Sequence, residues 1–446
     1  MKNISLNNTA EWAVEYALKS GASEATANVS EEKSLEIILV DDGIEKLQES
    51  NQKSLSIDLY CNNRYSSHST NDMREESMKK FIEEAVKMTN YLAKDEARSL
   101  PEKRYYPDKE LLSRDMELND SSFNTVEFKN KIELLQNVYS GIKGKSDKII
   151  NVTSYYSDSQ SKGILVHSNG FSGETDSTGY SVYASVAVND PNGGKPSSGE
   201  GCSVRHLKDM MEPADIAKKA LEKTLGRIGQ KKIESGVYKM LVENRAGGNP
   251  MGTILRAIGG RTLQQKNSYL EGMLGKKIAS EKLTVTDNPF VKKGLGSRHF
   301  DSEGLAAQQR EIITNGILNA YYINDYYGKK MSMTPFTGSS SNLIYSCGNK
   351  TMEEIVKTID KGILVTEFLG GNFNTTTGDF SNGIAGFYIE NGEIKFPVNE
   401  MNISGNAKDL WAKLIEVGND PYVYSSNQTP SFLFNEIDFS GIKEQL

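Results

Sequence analysis

The chain has 446 residues, of which 37% are hydrophobic and 25% charged, with a net charge of -7 at pH 7. A single hydrophobic core stops growing near ~250–300 residues, so this length predicts two domains. The acidic balance opposes nonspecific nucleic-acid binding, which needs clustered Lys and Arg to displace counterions.

No run approaches the ~20 consecutive apolar residues of a membrane span. The start, Met1-Lys-Asn-Ile-Ser-Leu-Asn-Asn-Thr9, lacks the apolar stretch of a secretory leader. The expected compartment is the cytoplasm. Cys61, Cys202 and Cys347 lie far apart with no CxxC pair, as reduced packing residues would.

The first predicted element is an amphipathic helix, with Asn8 and Glu11 as a capping box, Trp12, Ala13, Tyr16 and Ala17 at helical spacing, and Gly21 as its stop. Strands are expected over residues 35–40 and 44–47, around the hairpin dipeptide Asp42-Gly43, and then over 55–60. A second helix, about 73–92, places Met78, Phe81, Ile82, Ala85 and Met88 on one stripe. The charged, Pro-interrupted stretch 93–120 reads as a surface crossover. A third helix, 125–141, leads to strands over 149–156 and 163–167, the turn Ser168-Asn169-Gly170, and a strand over 180–188. Residues 189–194 and 197–201 read as a flexible Gly-rich loop, and Pro213 opens a helix running to about Gly226. Beyond Gly236 short alternating runs dominate, with helices near 251–266, 352–361 and 408–417, so a largely antiparallel β domain is expected.

Four histidines, His68, His167, His206 and His299, offer no HExxH, HxH or Cys/His ligand spacing. A GxSxG elbow is absent, and Gly194-Lys-Pro-Ser-Ser-Gly199 has a phosphate loop's composition with the lysine at the wrong end. Asp301, Glu303, Glu311 and Asp379 would form an acid/base pair or a Mg²⁺ site if they met, and otherwise read as turn and strand-rim acids.

Several strings in the second half act together. Phe300-Asp-Ser-Glu-Gly304 precedes Ile313-Thr-Asn-Gly-Ile-Leu-Asn-Ala-Tyr321. Gly362-Ile-Leu-Val-Thr-Glu-Phe-Leu-Gly-Gly371, Thr377-Gly-Asp-Phe-Ser381, Gly386-Phe-Tyr-Ile-Glu-Asn-Gly392 and Gly418-Asn-Asp420 follow. Asn315-Gly316 and Asn391-Gly392 mark hairpins, and Gly370-Gly371 permits close backbone approach or φ > 0. On these strings the C-terminal half, and more loosely the whole chain, resembles the TldD/PmbA family of cytoplasmic metalloproteases, some of whose members are named modulators of DNA gyrase.

The resemblance implies a peptide substrate and two kinds of subunit. The active, TldD-like kind carries HExxxH and a cysteine near its C-terminus. At the matching positions this chain has Arg256, Ala257 and Arg261, and residues 422–428 hold no cysteine. Two guanidiniums and a methyl group can neither hold zinc nor take a proton from bound water. The resemblance therefore implies a PmbA/TldE-like noncatalytic subunit with no catalytic or metal residue of its own, and zinc in a TldD-like partner. A homodimer is the other assembly considered, and neither nucleic acid nor membrane is an expected partner. Two readings remain open beside it: an independent hydrolase with a carboxylate or triad site, and a homodimeric peptide-binding protein that pairs with extended chains at a sheet edge. Asp301, Glu303, Gly370 and Gly371 are the candidate cleft residues. The expected architecture is α+β. An N-terminal α/β domain, 1–230, has a twisted sheet and packed helices, and a β-rich, barrel-like C-terminal domain, 231–446, has few helices.

Overall fold

A computed structural model describes residues 5–442, so the first four residues of the start read above for a leader lie outside it. Strand exceeds helix, 38% against 24%, and the chain is α+β as expected. Helix α1 (Leu6–Lys19) is capped by Ser5, whose hydroxyl accepts from the Asn8 backbone N–H at 3.2 Å. Asn8 is thus inside the helix, and the predicted capping box at Asn8 and Glu11 starts one turn late.

Six antiparallel strands follow: β1 (Glu24–Val40), β2 (Gly43–Tyr60), β3 (Tyr65–Thr70), β4 (Ile149–His167), β5 (Ser172–Val188) and β6 (Ser197–Val204), in the order β3-β2-β1-β4-β5-β6. A helix of 14 residues is ~21 Å long and a strand of 17 residues ~56 Å, so one helix pair cannot cover strands of this length. Two pairs do. Helices α1 and α2 (Glu75–Thr89) bury Ala27, Val29, Ile57 and Val166. After a short helix α3 (Lys109–Leu112), α4 (Phe128–Ile142) and α5 (Pro213–Leu225) bury Ile37, Leu39, Tyr156 and Val182 on the same face. The other face carries serines, with Ser30–Ser54, Ser56–Ser69 and Ser181–Ser203 paired across strands at 2.9, 2.9 and 2.7 Å.

The second half opens with β7 (Gly236–Val242), α6 (Gly248–Ala257) and α7 (Gly260–Gln264). A small sheet of β8 (Val285–Asp287), β9 (Arg310–Thr314), β10 (Ile317–Leu318) and β11 (Leu343–Tyr345) encloses α8 (Asp325–Met331) in sequence, and α9 (Met352–Val356) follows. Then come β12 (Lys361–Phe373), β13 (Asp379–Glu390), β14 (Glu393–Asn406), α10 (Ala407–Ala412), β15 (Leu414–Val417) and β16 (Phe432–Ser440). Strands β14, β13, β12, β7 and β16 pair in that order, and β14 returns to β16 through Ile403 and Phe439, which closes a five-stranded barrel. The barrel core holds one face of α6 and α10: Trp411 is fully buried between Phe432 and Phe434 and donates to Thr253 Oγ1 at 3.2 Å.

Several boundaries differ from the sequence reading for physical reasons. Residues 44–47 and 55–60 belong to one strand, β2, and 149–156 and 163–167 to one strand, β4. Met88 is 60% exposed, and Val86 and Thr89 take its place on the buried stripe of α2. Ser197–Val204 is an edge strand rather than loop, because Gly199 and Gly201 let β6 lie against Tyr183 and Ala184. The helix expected over 251–266 breaks at Ile258 and Gly259 into α6 and α7. Both Asn-Gly turns form as expected, with Asn315 at φ 49° and Asn391 at φ 51°.

Candidate functional site

The three positions singled out above fall on two helices, Arg256 and Ala257 at the end of α6 and Arg261 in α7, and face two directions. Ala257 is fully buried beside Met251, Ile254 and Ile258, and its carbonyl accepts from Ser268 Oγ at 2.6 Å. Arg256 and Arg261 are exposed. The Arg256 Nε donates to the Gly252 carbonyl of its own helix at 3.1 Å, and its guanidinium lies 5.1 Å from the Phe373 ring. Among the described residues neither arginine pairs with a carboxylate. No three His, Cys, Asp or Glu side chains among the described residues come together as ligands. Cations and a buried methyl do not fit a zinc ion, which needs neutral imidazole, thiolate or carboxylate donors. Residues 422–428 meet other neighbours: Tyr422 donates to the Gly201 carbonyl at 3.1 Å, and Asn427 accepts from Tyr345 at 2.7 Å.

The four carboxylates considered as a pair or Mg²⁺ site do not all come together. Glu311 is bound by Thr314, and Asp379 by Thr377 and Asn406. Asp301 and Glu303 do share a site. Asp301 accepts from the backbone of Glu303, Leu305 and Gly338 at 2.9, 3.0 and 3.3 Å. Glu303 holds the first turn of α8, accepting from the Asp325 N–H at 2.8 Å and from Asn324 Nδ2 at 2.7 Å. Burial, and secondarily the neighbouring Asp301 charge, push the Glu303 carboxyl up to about 7. Burial also raises Asp301 and Asp325 above the usual carboxylate range, and takes His167 down to about 4. Gly370 and Gly371 share none of these contacts. They form a bulge in β12 at φ 80° and 149°, where a Cβ on Gly371 would meet Asn382 Oδ1.

One site had no sequence signal. Glu200, 4% exposed, binds Lys223 at 3.0 Å and pairs with Arg245, and Lys223 reaches Glu243 at 3.4 Å. Arg245 stacks 5.0 Å from Tyr422. These residues line a cleft of about 680 Å³ between α5, β6 and the loop after Gly418. Its members come from distant strands and loops, so no local spacing foretells it.

Fold and site together define an α+β chain with a closed C-terminal barrel, in which the segment from Arg256 to Arg261 carries no metal-ligand chemistry. Models of the PmbA/TldA metallopeptidase domain 1, central domain and C-terminal domain match residues 25–89, 121–228 and 235–441. Metalloprotease PmbA of Escherichia coli O157:H7 is 30% identical over 440 residues, covering 97% of this chain and 96% of the relative. A PmbA homolog of Haemophilus influenzae is 28% identical over 445 residues, covering 98% and 96%. A solved structure from Bacteroides thetaiotaomicron, described as a modulator of DNA gyrase, superposes with a TM-score of 0.95 at 40% identity, covering 98% of this chain and all of that one. TldE from Thermococcus kodakarensis shares the fold, with a TM-score of 0.84 at 20% identity over 97% of this chain and 100% of that one. The chain belongs to the TldD/PmbA family.

Proposed function

We propose that this chain is the noncatalytic, PmbA/TldE-like subunit of a cytoplasmic zinc metalloprotease acting on unfolded peptides, with residues 1–230 and 231–446 as its two domains. The observation that carries the reading is the chemistry of the segment where α6 ends and α7 begins. Ala257 offers no base for a metal-bound water, and Arg256 and Arg261 add positive charge where a divalent cation would need donors. Its relatives' names supply the metalloprotease class, and the name TldE of one structural neighbour fits a paired assembly. Zinc and the proton-transfer groups then reside in a TldD-like partner, while this chain shapes the peptide chamber.

Two measurements test this. Protein purified without added metal should hold far less than one zinc per chain and show no peptidase activity. Co-expression with a TldD-like subunit should yield a complex, burying on the order of ~2,000 Å², that binds one zinc and cleaves unfolded peptide. One zinc equivalent in the isolated chain, or its failure to associate with such a subunit at micromolar concentration, sinks the reading. Metal-free cleavage by the isolated chain favours the independent hydrolase instead.

A further inference from the structure

Charge is unevenly placed in this protein, whose net charge is -7. Between Arg256 and Lys277 there are five cations, Arg256, Arg261, Lys266, Lys276 and Lys277, against one acid, Glu271. All five are exposed, and among the described residues none of them, nor Lys408 of α10, pairs with a carboxylate. The segment carrying the last two is held rigidly against the β9–β10 hairpin. The Leu270 carbonyl accepts from the Tyr321 hydroxyl at 2.6 Å, the Gly275 N–H donates to the Leu318 carbonyl at 2.7 Å, and the Ile278 N–H donates to the Gly316 carbonyl at 2.8 Å. Beside it runs a groove of about 630 Å³ with Leu270 and Met273 in its floor, lined by Lys277 and Lys408 together with Glu281 and Asp409. Leu274 and Ile317, 45% and 40% exposed, add apolar surface next to Lys276 and Lys277.

The opposite chemistry sits at the tip of the N-terminal sheet. Residues 41–49 of the β1–β2 hairpin hold Asp41, Asp42, Glu45 and Glu49 against a single cation, Lys46, which Glu36 of β1 binds at 2.7 Å. Asp42, Glu45 and Glu49 have no ion pair among the described residues. Pairing of β2 with β1 passes from Lys46 and Ile38 to Ile44 and Leu39, so Glu45 stands in a bulge without a cross-strand partner. The tip is anchored to β4: the Asp41 N–H donates to the Val152 carbonyl at 2.8 Å, and its Oδ1 accepts from the Val152 N–H at 3.1 Å. Ile44 and Leu47, each 53% exposed, prolong the buried row of Ile37 and Leu39 outside the cover of α4 and α5. Among the described residues the outer edge of β2 from Gly43 to Ser54 pairs with no strand, since β3 reaches only Leu55, and an open edge of this length is a ready contact for another chain.

We propose that these surfaces are the two halves of one contact: the acidic β1–β2 hairpin of one copy of the chain seats on the basic face between Arg256 and Lys277 of a second copy. Charge decides the occupant. Carboxylates of the tip meet lysines and arginines that no carboxylate of their own chain neutralises, and Ile44 and Leu47 meet Leu274 and Ile317. Each copy carries both surfaces, so a single contact leaves one of each open, and a two-fold axis uses both at once. Both are fixed before they meet, which spares the ordering cost of association.

Sedimentation equilibrium of the full chain at tens of micromolar tests this, with far-UV circular dichroism as the check of folding. The wild type should be dimeric at low salt. Its dissociation constant should rise by roughly 10-fold or more between about 0.05 and 0.5 M NaCl, because exposed charge pairs are screened. Glu45→Lys with Glu49→Lys, and separately Lys276→Glu with Lys277→Glu, should each be monomeric, since both put like charges across the contact. Mixed one to one, the two variants should form a dimer in which each contact again joins opposite charges. A monomeric wild type overturns the proposal and leaves the basic face to an acidic ligand of another kind. A dimer indifferent to salt overturns it too, and that outcome needs no variant. Dimers in either double variant alone, or folded variants that stay monomeric when mixed, overturn it as well. The isolated chain is the sample throughout, so none of these outcomes bears on whether a TldD-like subunit binds.

Discussion

Glutamate in place of Ala257 is expected to lower the unfolding free energy by roughly 3–5 kcal/mol, the scale of an uncompensated charge in a core. Ala257 is fully buried and shares a core cluster with Met251, Ile254 and Ile258. Urea denaturation of Ala257→Glu, with Ala257→Gln as a control of similar size, separates charge from volume. The glutamate variant should lose more, and its deficit should shrink at acid pH as the carboxyl protonates. A wild-type midpoint for Ala257→Glu would mean that position 257 faces solvent. The geometric side of the noncatalytic reading would then fail.

A loss of similar size is expected for Lys131→Ala. Lys131 Nζ lies 2.5 Å from Asp158 Oδ2, and the two side chains are 11% and 2% exposed. Tyr156 also donates to that carboxylate at 2.7 Å. Removing the lysine strands a buried anion, at a cost of about 3–5 kcal/mol, whereas replacing both partners with apolar residues of similar volume is often neutral. The double variant Lys131→Met, Asp158→Leu should therefore recover most of the deficit. A single-variant change under ~1 kcal/mol would show that Asp158 reaches water.

What the sequence reveals follows from how local each signal is. Helix stripes and Asn-Gly turns depend on neighbouring residues, and α1, α2, α4, α5 and both hairpins were legible from them. The long strands were split because apolar alternation lapses where both faces are polar: Ser157, Ser159 and Ser161 lie on the open face of β4, while Asp158 and Gln160 are buried on the other. Arg256, Ala257 and Arg261 were singled out through resemblance, but the opposed directions of Ala257 and the two arginines were not legible. Asp301 and Glu303 stood out through their shared motif. Their partners did not, because strand register aligns His167 with Thr26 and Asp58, and no spacing in one sequence encodes that row.

The barrel's closure also orders events in time. Its founding strand, β7, pairs with β16 from Gly236↔Phe439 to Val242↔Phe432, and its other neighbour, β12, joins it in parallel. Such nonlocal pairing is slow, and loop-closure entropy is spent before any contact rewards it. On a ribosome, β7 must wait with both edges open until β12 has emerged and with one edge open until β16 follows, while the N-terminal sheet, completed at Val204, already has all its strands. Nascent chains stalled before Phe432 should thus expose β7 to aggregation or to chaperones, and the vulnerable interval ends only when the last barrel strand arrives.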